Sequence, residues 1–426
     1  MLGEIKLKIL KTIHKIIPSK ILRKKIHNFN VLIAYQTIKK LKKVNNDNIS
    51  LKRIKTILFL SDINLNINDD SFYYHLLNLV SGHGNILTNK LYLKDQLQNK
   101  KLISAGLITW LRLRDLFYLK NEMVLGGICR KNAINYAIKN KQGIFLSSKD
   151  KARAIIDSCL NLNNSEKHFK SIPFKYNFDQ ILLRKYIYSI NNIKNYQNKY
   201  DNENNEFFKI FKNKSVAIVG PSKTNNNDAT EIDSFDVVVR LNYTYSGKNL
   251  DNLKKGLKVD VSYFSGEQIS YLIDNENSKL PNELKVACIK DVDNIRKKKL
   301  EIVNPNKIVK KIINFNILNF YSSHNLLALA ISDIIQTERK KIKVFHSDLF
   351  LSNIREANYY PSSFNRSDDK LKKIQVESFI DHDPMMQHEF LQKLYKLNII
   401  TGDDKFNEVM KLDTYEYLNK LEDVYK

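Results

Sequence analysis

His382 stands between two carboxylates in Asp381-His382-Asp383. An imidazole titrates near working pH, so it can take a proton from a hydroxyl during group transfer, an effect of about 10²–10⁴-fold. A flanking carboxylate would favour the imidazolium and orient the ring. Without further support, a lone histidine beside two acids reads equally as a solvated loop. The same triplet and Asp291-Val292-Asp293 have the D-x-D spacing that can hold a divalent cation on a diphosphate, but so short a pattern arises readily by chance in a chain with 45 acids. His388-Glu389 is a further imidazole–carboxylate pair, or simply the exposed face of a helix running from Pro384 to Tyr395.

A second chemical signal lies in residues 215–243, SVAIVGPSKTNNNDATEIDSFDVVVRLNY. A buried strand runs into Gly220 and then into a polar loop containing Ser222, Thr224 and Asn225. Such a loop can turn backbone N–H groups and hydroxyls toward a phosphate. Pro221 has no N–H, so Ser222 to Asn225 would have to donate. A single glycine is neither a dinucleotide nor a Walker fingerprint, and an ordinary strand-to-helix turn fits as well. Glu231 to Asp236 then lead into Val237-Val238-Val239-Arg240-Leu241-Asn242, a strand that buries three valines and delivers Arg240 and Asn242 near its carboxyl end. The Asn242 amide offers both a donor and an acceptor for a base or ribose. Most of the 22 tyrosines and 21 phenylalanines belong in a core, while Tyr243, Tyr245, Tyr359 and Tyr360 are candidates for stacking on a base or sugar.

These residues resemble the sialyltransferases of glycosyltransferase family 29. Their long sialylmotif has a strand, a V-G-N-S-type turn, the run E-I-D-S-H/F-D-x-V-x-R-x-N and a later G-x-x-x-D/T segment. Ile218-Val219-Gly220, Glu231 to Asp236, Val238, Arg240 and Asn242 stand at matching places, and Gly256 to Phe264 follow at short range. The short sialylmotif resembles Ser322-Ser323-His324-Asn325 followed by the apolar Leu326 to Leu329, with Asn325 in place of a glycine that visits the left-handed region. Its later strand resembles Val344-Phe345-His346-Ser347-Asp348. The H-Y-Y-D/E motif resembles Asn358-Tyr359-Tyr360-Pro361 without its histidine, and H-x4-E resembles His382 to Gln387, with glutamine for glutamate. Val216 lies where a motif cysteine often sits, which fits a bacterial-type relative.

The resemblance covers roughly residues 214–404. It implies a CMP-sugar donor as substrate, a glycan or glycolipid acceptor, no cofactor and no metal, since a CMP donor has only one phosphate to neutralise. It implies His382 as catalytic base. Gly220, Ser222, Thr224, Asn225, Asn242, Ser323, His324, Asn325, Tyr359 and Tyr360 would bind the CMP part, Asn242 touching the nucleotide.

The elements that must position these groups follow from periodicity. After residue 211, short apolar runs at 214–219, 237–241, 258–264, 285–290, 312–321 and 342–346 alternate with helical patterns such as Leu326–Gln336, which predicts a parallel sheet with covered faces. Ligands then bind at the carboxyl ends of its strands. The expected fold class is α/β: a GT-A-like, Rossmann-type parallel sheet flanked by helices over 210–426, beside a basic helical or α/β N-terminal region. Within 46–200, an accessory region without a chemical motif, Lys55–Ile63 and Gly143–Ser147 read as strands. Residues 71–80, 99–119, 150–162 and 178–196 read as helices, and Asn191–Glu206 as a linker.

Residues 1–45 read as a basic helical arm interrupted at Pro18. Apolar Leu2, Ile5, Ile9, Ile13 and Ile16 recur at three- and four-residue steps among lysines. Of the net charge of +25, residues 1–60 carry 15 basic side chains against Glu4 and Asp47 alone. A local excess of this kind points to an anionic partner surface. The same pattern serves a helix lying on an anionic membrane and a helix packed on the protein with lysine stems over apolar surface. A nucleic-acid-binding protein is the alternative that total charge suggests, but the charge sits at one end and no helix-turn-helix, RRM or KH signature is present. A catalytically inactive sialyltransferase-like scaffold is another, given Asn358 and Gln387. Cys129, Cys159 and Cys288 form no C-x-x-C pair, which argues against a zinc ribbon and for a reducing compartment. No apolar run reaches the roughly 18–20 residues of a spanning helix and no signal peptide is visible. The expected location is cytoplasmic, with peripheral attachment to the inner membrane face through residues 1–45 if the arm binds lipid.

Overall fold

In the computed structural model, residues 19–44, 51–66, 70–99, 104–139, 154, 205–223, 225–243, 254–275, 279–290, 294–312, 321–352 and 368–426 are described. The chain forms two compact units. One spans Met1–Pro173, Lys373–Asp383 and Leu418–Lys426; the other spans Phe174–Lys372 and Pro384–Tyr417. The stretches 373–383 and 418–426 therefore pack with the N-terminal part of the chain.

The first unit is helical. Its helices are Ser19–Val44, Leu51–Leu60, Asp70–Ser81, Ile86–Gln98, Leu107–Leu119 and Met123–Lys139, with one short antiparallel pair, β1 (Leu65–Asn66) and β2 (Ser104–Ala105). In the first helix Ala34, Thr37, Ile38, Leu41 and Val44 are buried, at the three- and four-residue spacing of one helical face, while Lys39, Lys40, Lys42 and Lys43 are exposed. Residues 34–44 thus belong to the core of this unit rather than to a free arm. The strand expected at Lys55–Ile63 is instead the helix Leu51–Leu60. Ile54, Ile57 and Leu58 point inward, and Phe59 and Leu60 at the end of the apolar run are 61% and 64% exposed. A short apolar run is ambiguous by pattern alone, and neighbouring helices decided the outcome here. The helix expected over 99–119 begins at Leu107, after β2. The expected strand at 143–147, the helix at 178–196, all of 150–162 but Ala154 and most of the 191–206 linker lie outside the described residues.

A buried charged network ties residues 373–383 into this unit. The Arg114 guanidinium donates through Nε and Nη2 to Asp115 Oδ1 at 3.0 and 2.7 Å, and through Nη2 to the Ile380 carbonyl at 3.3 Å. Asp383 Oδ2 lies 3.6 Å from Arg114 Nη1, 3.4 Å from Arg130 Nη1 and 3.2 Å from the Tyr118 hydroxyl. Glu422 does the same for the C-terminal helix, accepting from Val124 N–H at 2.8 Å and pairing with Lys90.

The second unit is an open sheet of seven parallel strands flanked by helices, a Rossmann-like α/β arrangement. The strands are β3 (Lys214–Val219), β4 (Val237–Leu241), β5 (Val261–Phe264), β6 (Val286–Ile289), β7 (Ile308–Lys311), β8 (Arg339–Phe345) and β9 (Thr401–Gly402), in the order β7-β6-β5-β4-β3-β8-β9. The chain builds outward from β3 to β7 and then returns to the other side of β3. The order thus reverses between β3 and β8, the place where open α/β sheets leave a crevice at their carboxyl edge. β7 was not expected from the sequence, and the strand expected at 312–321 lies almost wholly outside the described residues. β4 is buried throughout, as its valine run predicts. One face of β3, β4 and β8 is covered by Ile232 and Phe235, the latter edge-on to Phe345 at 5.7 Å. Toward β7, Tyr263, Cys288 and Lys310 stand in register on adjacent strands. Lys310 Nζ reaches both Asp333 oxygens at 2.7 Å, and the Tyr263 hydroxyl donates to Asp333 at 2.8 Å.

Candidate functional site

The carboxyl edge of β3, β4 and β8 brings together Gly220, Asn242 and His346, each just past the end of its strand. Gly220 follows β3, and a Cβ there would lie 2.5 Å from the His346 carbonyl oxygen, so only glycine fits this close approach of two strand ends. The Gly220 N–H donates to Phe345 O at 2.8 Å and the Ser222 N–H to His346 O at 3.0 Å. The expectation that Ser222 turns its N–H toward a phosphate is thereby corrected: that donor is spent on β8. Lys255, buried, donates to the Ser222 carbonyl at 2.7 Å and lies 3.3 Å from that of Gly220, which fixes the turn from the other side. Asn225 is exposed, and Thr224 lies outside the described residues.

Asn242 leaves β4 in the left-handed region, with φ of 53°. Its N–H donates to Tyr263 O at 2.8 Å and its carboxamide oxygen accepts from Ser265 N–H at 2.8 Å. The sequence reading gave this amide both a donor and an acceptor for ligand; the acceptor is used inside the protein, and the NH₂ group is the half left to donate. Val219 and Arg240 are paired in register, so the chain leaves β3 at Gly220 and β4 at Asn242 on neighbouring strands.

The long motif itself is scaffold. Asp233 accepts from the N–H groups of Leu257 and Lys258 at 3.0 and 3.1 Å, next to Gly256 at φ of 75°. Asp236 accepts from Ser215 N–H at 2.8 Å and its hydroxyl at 2.7 Å. Arg240 donates to the carbonyls of Lys255, Gly256 and Lys258 at 2.9, 2.7 and 3.0 Å. Asp260 accepts from Val238 N–H at 2.9 Å. These residues shape the turns that present Gly220 and Asn242.

Asn325 is not in the left-handed region: its φ is −66°, and its side chain caps the helix Leu326–Ile334 by accepting from Ala328 N–H at 2.9 Å. An extended N-cap, rather than a glycine-like turn, is what an asparagine before an apolar helix provides. Gln387, fully buried, holds the same loop. Its Oε1 accepts from Asn325 N–H at 3.1 Å and its Nε2 donates to Ser323 O at 2.8 Å. A carboxylate there could accept but could not make the second bond. The buried His324 ring lies 4.7 Å from Phe390, and its carbonyl accepts from Lys290 Nζ at 3.4 Å.

His382 is carried by the helical unit, in the stretch Lys373–Asp383, with its N–H donating to Ser378 O at 2.8 Å. The flanking carboxylate Asp383 is engaged by the Arg114–Arg130–Tyr118 network, which fixes it within the helical unit. His388 and Glu389 are buried, not on the exposed face of their helix. His388 Nε2 donates to Val409 O at 3.1 Å, the ring stacks on Tyr417 at 4.5 Å, and burial depresses the imidazole to about 4. Tyr359, Tyr360, Tyr245 and Asp291-Val292-Asp293 lie outside the described residues.

The structure adds a group that sequence reasoning missed. His346 ends β8 in the left-handed region, with φ of 51° and 2% exposure. Its N–H donates to Asp403 Oδ2 at 2.6 Å, its Nδ1 lies 3.6 Å from the same oxygen, and its Nε2 lies 3.3 Å from Asp228 Oδ2. Burial, then the nearby Lys255, Arg240 and Lys405, lower the imidazole to about 3, so the ring is neutral. Burial raises both Asp228 and Asp403. A histidine at a strand end of a parallel sheet was a usable signal, but nothing in the sequence pairs it with two distant aspartates. No protein-family model matches the chain, and no curated protein matches it.

Proposed function

We propose that the protein is an inverting glycosyltransferase that moves a sialic acid, or a related nonulosonic or Kdo-type acid sugar, from a CMP donor to a hydroxyl of a glycan or glycolipid. The observation that carries this reading is the placement of Gly220 and Asn242. They are two of the positions that the resemblance assigns to CMP, and they leave adjacent parallel strands at one carboxyl edge, beside the reversal of strand order. The sheet is then the GT-A-like variant of the Rossmann arrangement. The Asn242 NH₂ group and the exposed side chain of Asn225 are the donors this reading assigns to CMP.

His382 is the base. It takes the proton of the acceptor hydroxyl, the oxygen attacks the anomeric carbon from the face opposite the phosphate, and the bond to CMP breaks with inversion. The leaving group is a phosphate monoester whose charge must be met by amide and hydroxyl donors, and the transfer calls for no metal and no cofactor. Among the described residues no helix is long and apolar enough to cross a membrane. A lipid-linked acceptor would be met at the inner face of the membrane through the basic residues preceding Ala34.

Calorimetric titration with CMP, UMP, AMP and GMP tests the reading, with preference for CMP expected; no preference removes it. His382→Ala should abolish acceptor-dependent CMP release while CMP still binds, and full activity would refute the base assignment. Because residues 34–44 are core, the membrane contact is tested by deleting residues 1–18 only. Binding to anionic liposomes should fall, and unchanged binding ends that part of the proposal.

A further inference from the structure

We propose that His346 and Asp228, with Asp403 behind them, form a binding site for one divalent transition-metal ion, such as Zn²⁺, at the carboxyl edge between β3 and β8. Three observations carry it. One ligand atom from each of the three residues lies within 4.8 Å of the others. The side chain of His346 is 2% exposed, and neither its Nε2 nor Asp228 Oδ2 has a hydrogen-bond partner, although the two are 3.3 Å apart. Asp228 is the residue before the helix Ala229–Asp233, where an aspartate ordinarily caps, yet its side chain caps nothing. It faces the imidazole instead.

The geometry is that of two ligands without their ion. Two atoms each about 2.0–2.1 Å from a tetrahedral cation stand about 3.4 Å apart, and each lone pair points at the cation rather than at the other atom. A pair spaced at 3.3 Å but misaligned for a hydrogen bond fits that description. Asp403 supplies the supporting contact. Its Oδ2 accepts the His346 N–H at 2.6 Å and lies 3.6 Å from Nδ1, on the side of the ring away from Asp228, which favours the tautomer with a free Nε2 lone pair. Nitrogen plus carboxylate oxygen is a donor set for zinc-like ions, not for magnesium or calcium. The Asp228 side chain is 22% exposed, so the ion can enter from solvent and keep water on its open positions.

Among neighbouring charges, Lys255 is engaged by the Ser222 carbonyl and Arg240 by three backbone carbonyls, and Lys405 lies 3.5 Å from Asp348. The ion would tie the loop that follows Gly220 to the ends of β8 and β9. It acts as a brace for the crevice and is independent of the transfer chemistry proposed above.

The test uses the full chain, stripped with chelator and titrated with Zn²⁺, with Mn²⁺ and Mg²⁺ alongside. One Zn²⁺ per chain and a saturable rise in the melting temperature are expected, with Mg²⁺ giving neither. Asp228→Asn should weaken Zn²⁺ binding at least tenfold while the metal-free variant melts at or above the wild-type temperature, because its side chain caps nothing. Absence of stoichiometric Zn²⁺, or unchanged binding by Asp228→Asn, overturns the site. A large loss of metal-free stability in Asp228→Asn also overturns it, since that result marks a plain imidazolium–carboxylate pair.

Discussion

Two buried polar clusters, one in each unit, are matched in different ways. In the helical unit, Asp383 faces two guanidinium groups and a phenol, and Asp115 takes two bonds from Arg114, all at 4% side-chain exposure or less for the charged residues. Carboxylates and cations there answer one another. In the sheet unit, the carboxyl edge of β3 and β8 brings His346 Nε2 and Asp228 Oδ2 together without a hydrogen bond, beside an Asn242 amide whose NH₂ group is left over. Removing charges from water is costly, and a closed network recovers that cost internally. An edge whose polar atoms are not matched to one another is arranged for something else to match them. The Asp383 cluster is thus matched within the protein, while the His346–Asp228 pair is the one that the proposed metal ion would match.

The largest effect that could break this contrast comes from Asp383→Asn. It leaves two buried guanidinium groups facing a neutral amide, and the expected cost is about 3–5 kcal/mol in urea unfolding. A loss below about 1 kcal/mol would show that the network is hydrated and that the contrast is false.

His388 gives a pH test within the sheet unit. Its pKa falls from the ordinary 6.5 to about 4 on folding, so the unfolded chain binds a proton that the folded chain refuses. Its contribution to stability is complete above pH 6.5 and is lost as pH falls toward 4, on the order of 3 kcal/mol in all. His388→Gln keeps a donor for Val409 O without the titration. Its unfolding free energy should change less between pH 7 and pH 4.5 than that of the wild type, and parallel pH profiles would refute the assignment.

Gly220→Ala sharpens the ligand side of the comparison. The added Cβ meets the His346 carbonyl at 2.5 Å, so a strand end must shift, at about 1–3 kcal/mol by thermal melting, together with at least a tenfold loss in CMP affinity by calorimetry. Unchanged CMP affinity in a folded variant would move the nucleotide away from this turn. Asn325→Ala should be the mildest change, about 1 kcal/mol for the lost cap on Leu326–Ile334, read by the same melts. Anything above about 2 kcal/mol would mean that the Gln387 clamp depends on the cap as well.

Much of the sheet was legible. Five of its strands coincide with apolar runs that alternate with helical patterns, because a parallel strand buried on both faces leaves a continuous apolar signature. The helix Leu51–Leu60 was misread, since a short apolar run has no period to distinguish helix from strand. In the site, Gly220 and Asn242 were legible from the motif. The spent N–H of Ser222, the cap at Asn325, the clamp from Gln387 and the inward turn of Asp383 were not. Each depends on a partner distant in sequence, and spacing along a chain does not reveal which hydrogen bonds a side chain has already made.

By itself, the sequence determined where strands alternate with helices after residue 211 and that positive charge concentrates near the start. These are consequences of local periodicity and composition, whereas the need for glycine at 220 comes from the His346 carbonyl across the strand ends. Only the tertiary structure decided that the order of strands reverses beside Gly220, that His346 meets Asp228 and Asp403 there, and that His382 travels with the helical unit. Burial and pairing are set by three-dimensional proximity, which fixes the electrostatic surroundings of a side chain and hence the chemistry open to it.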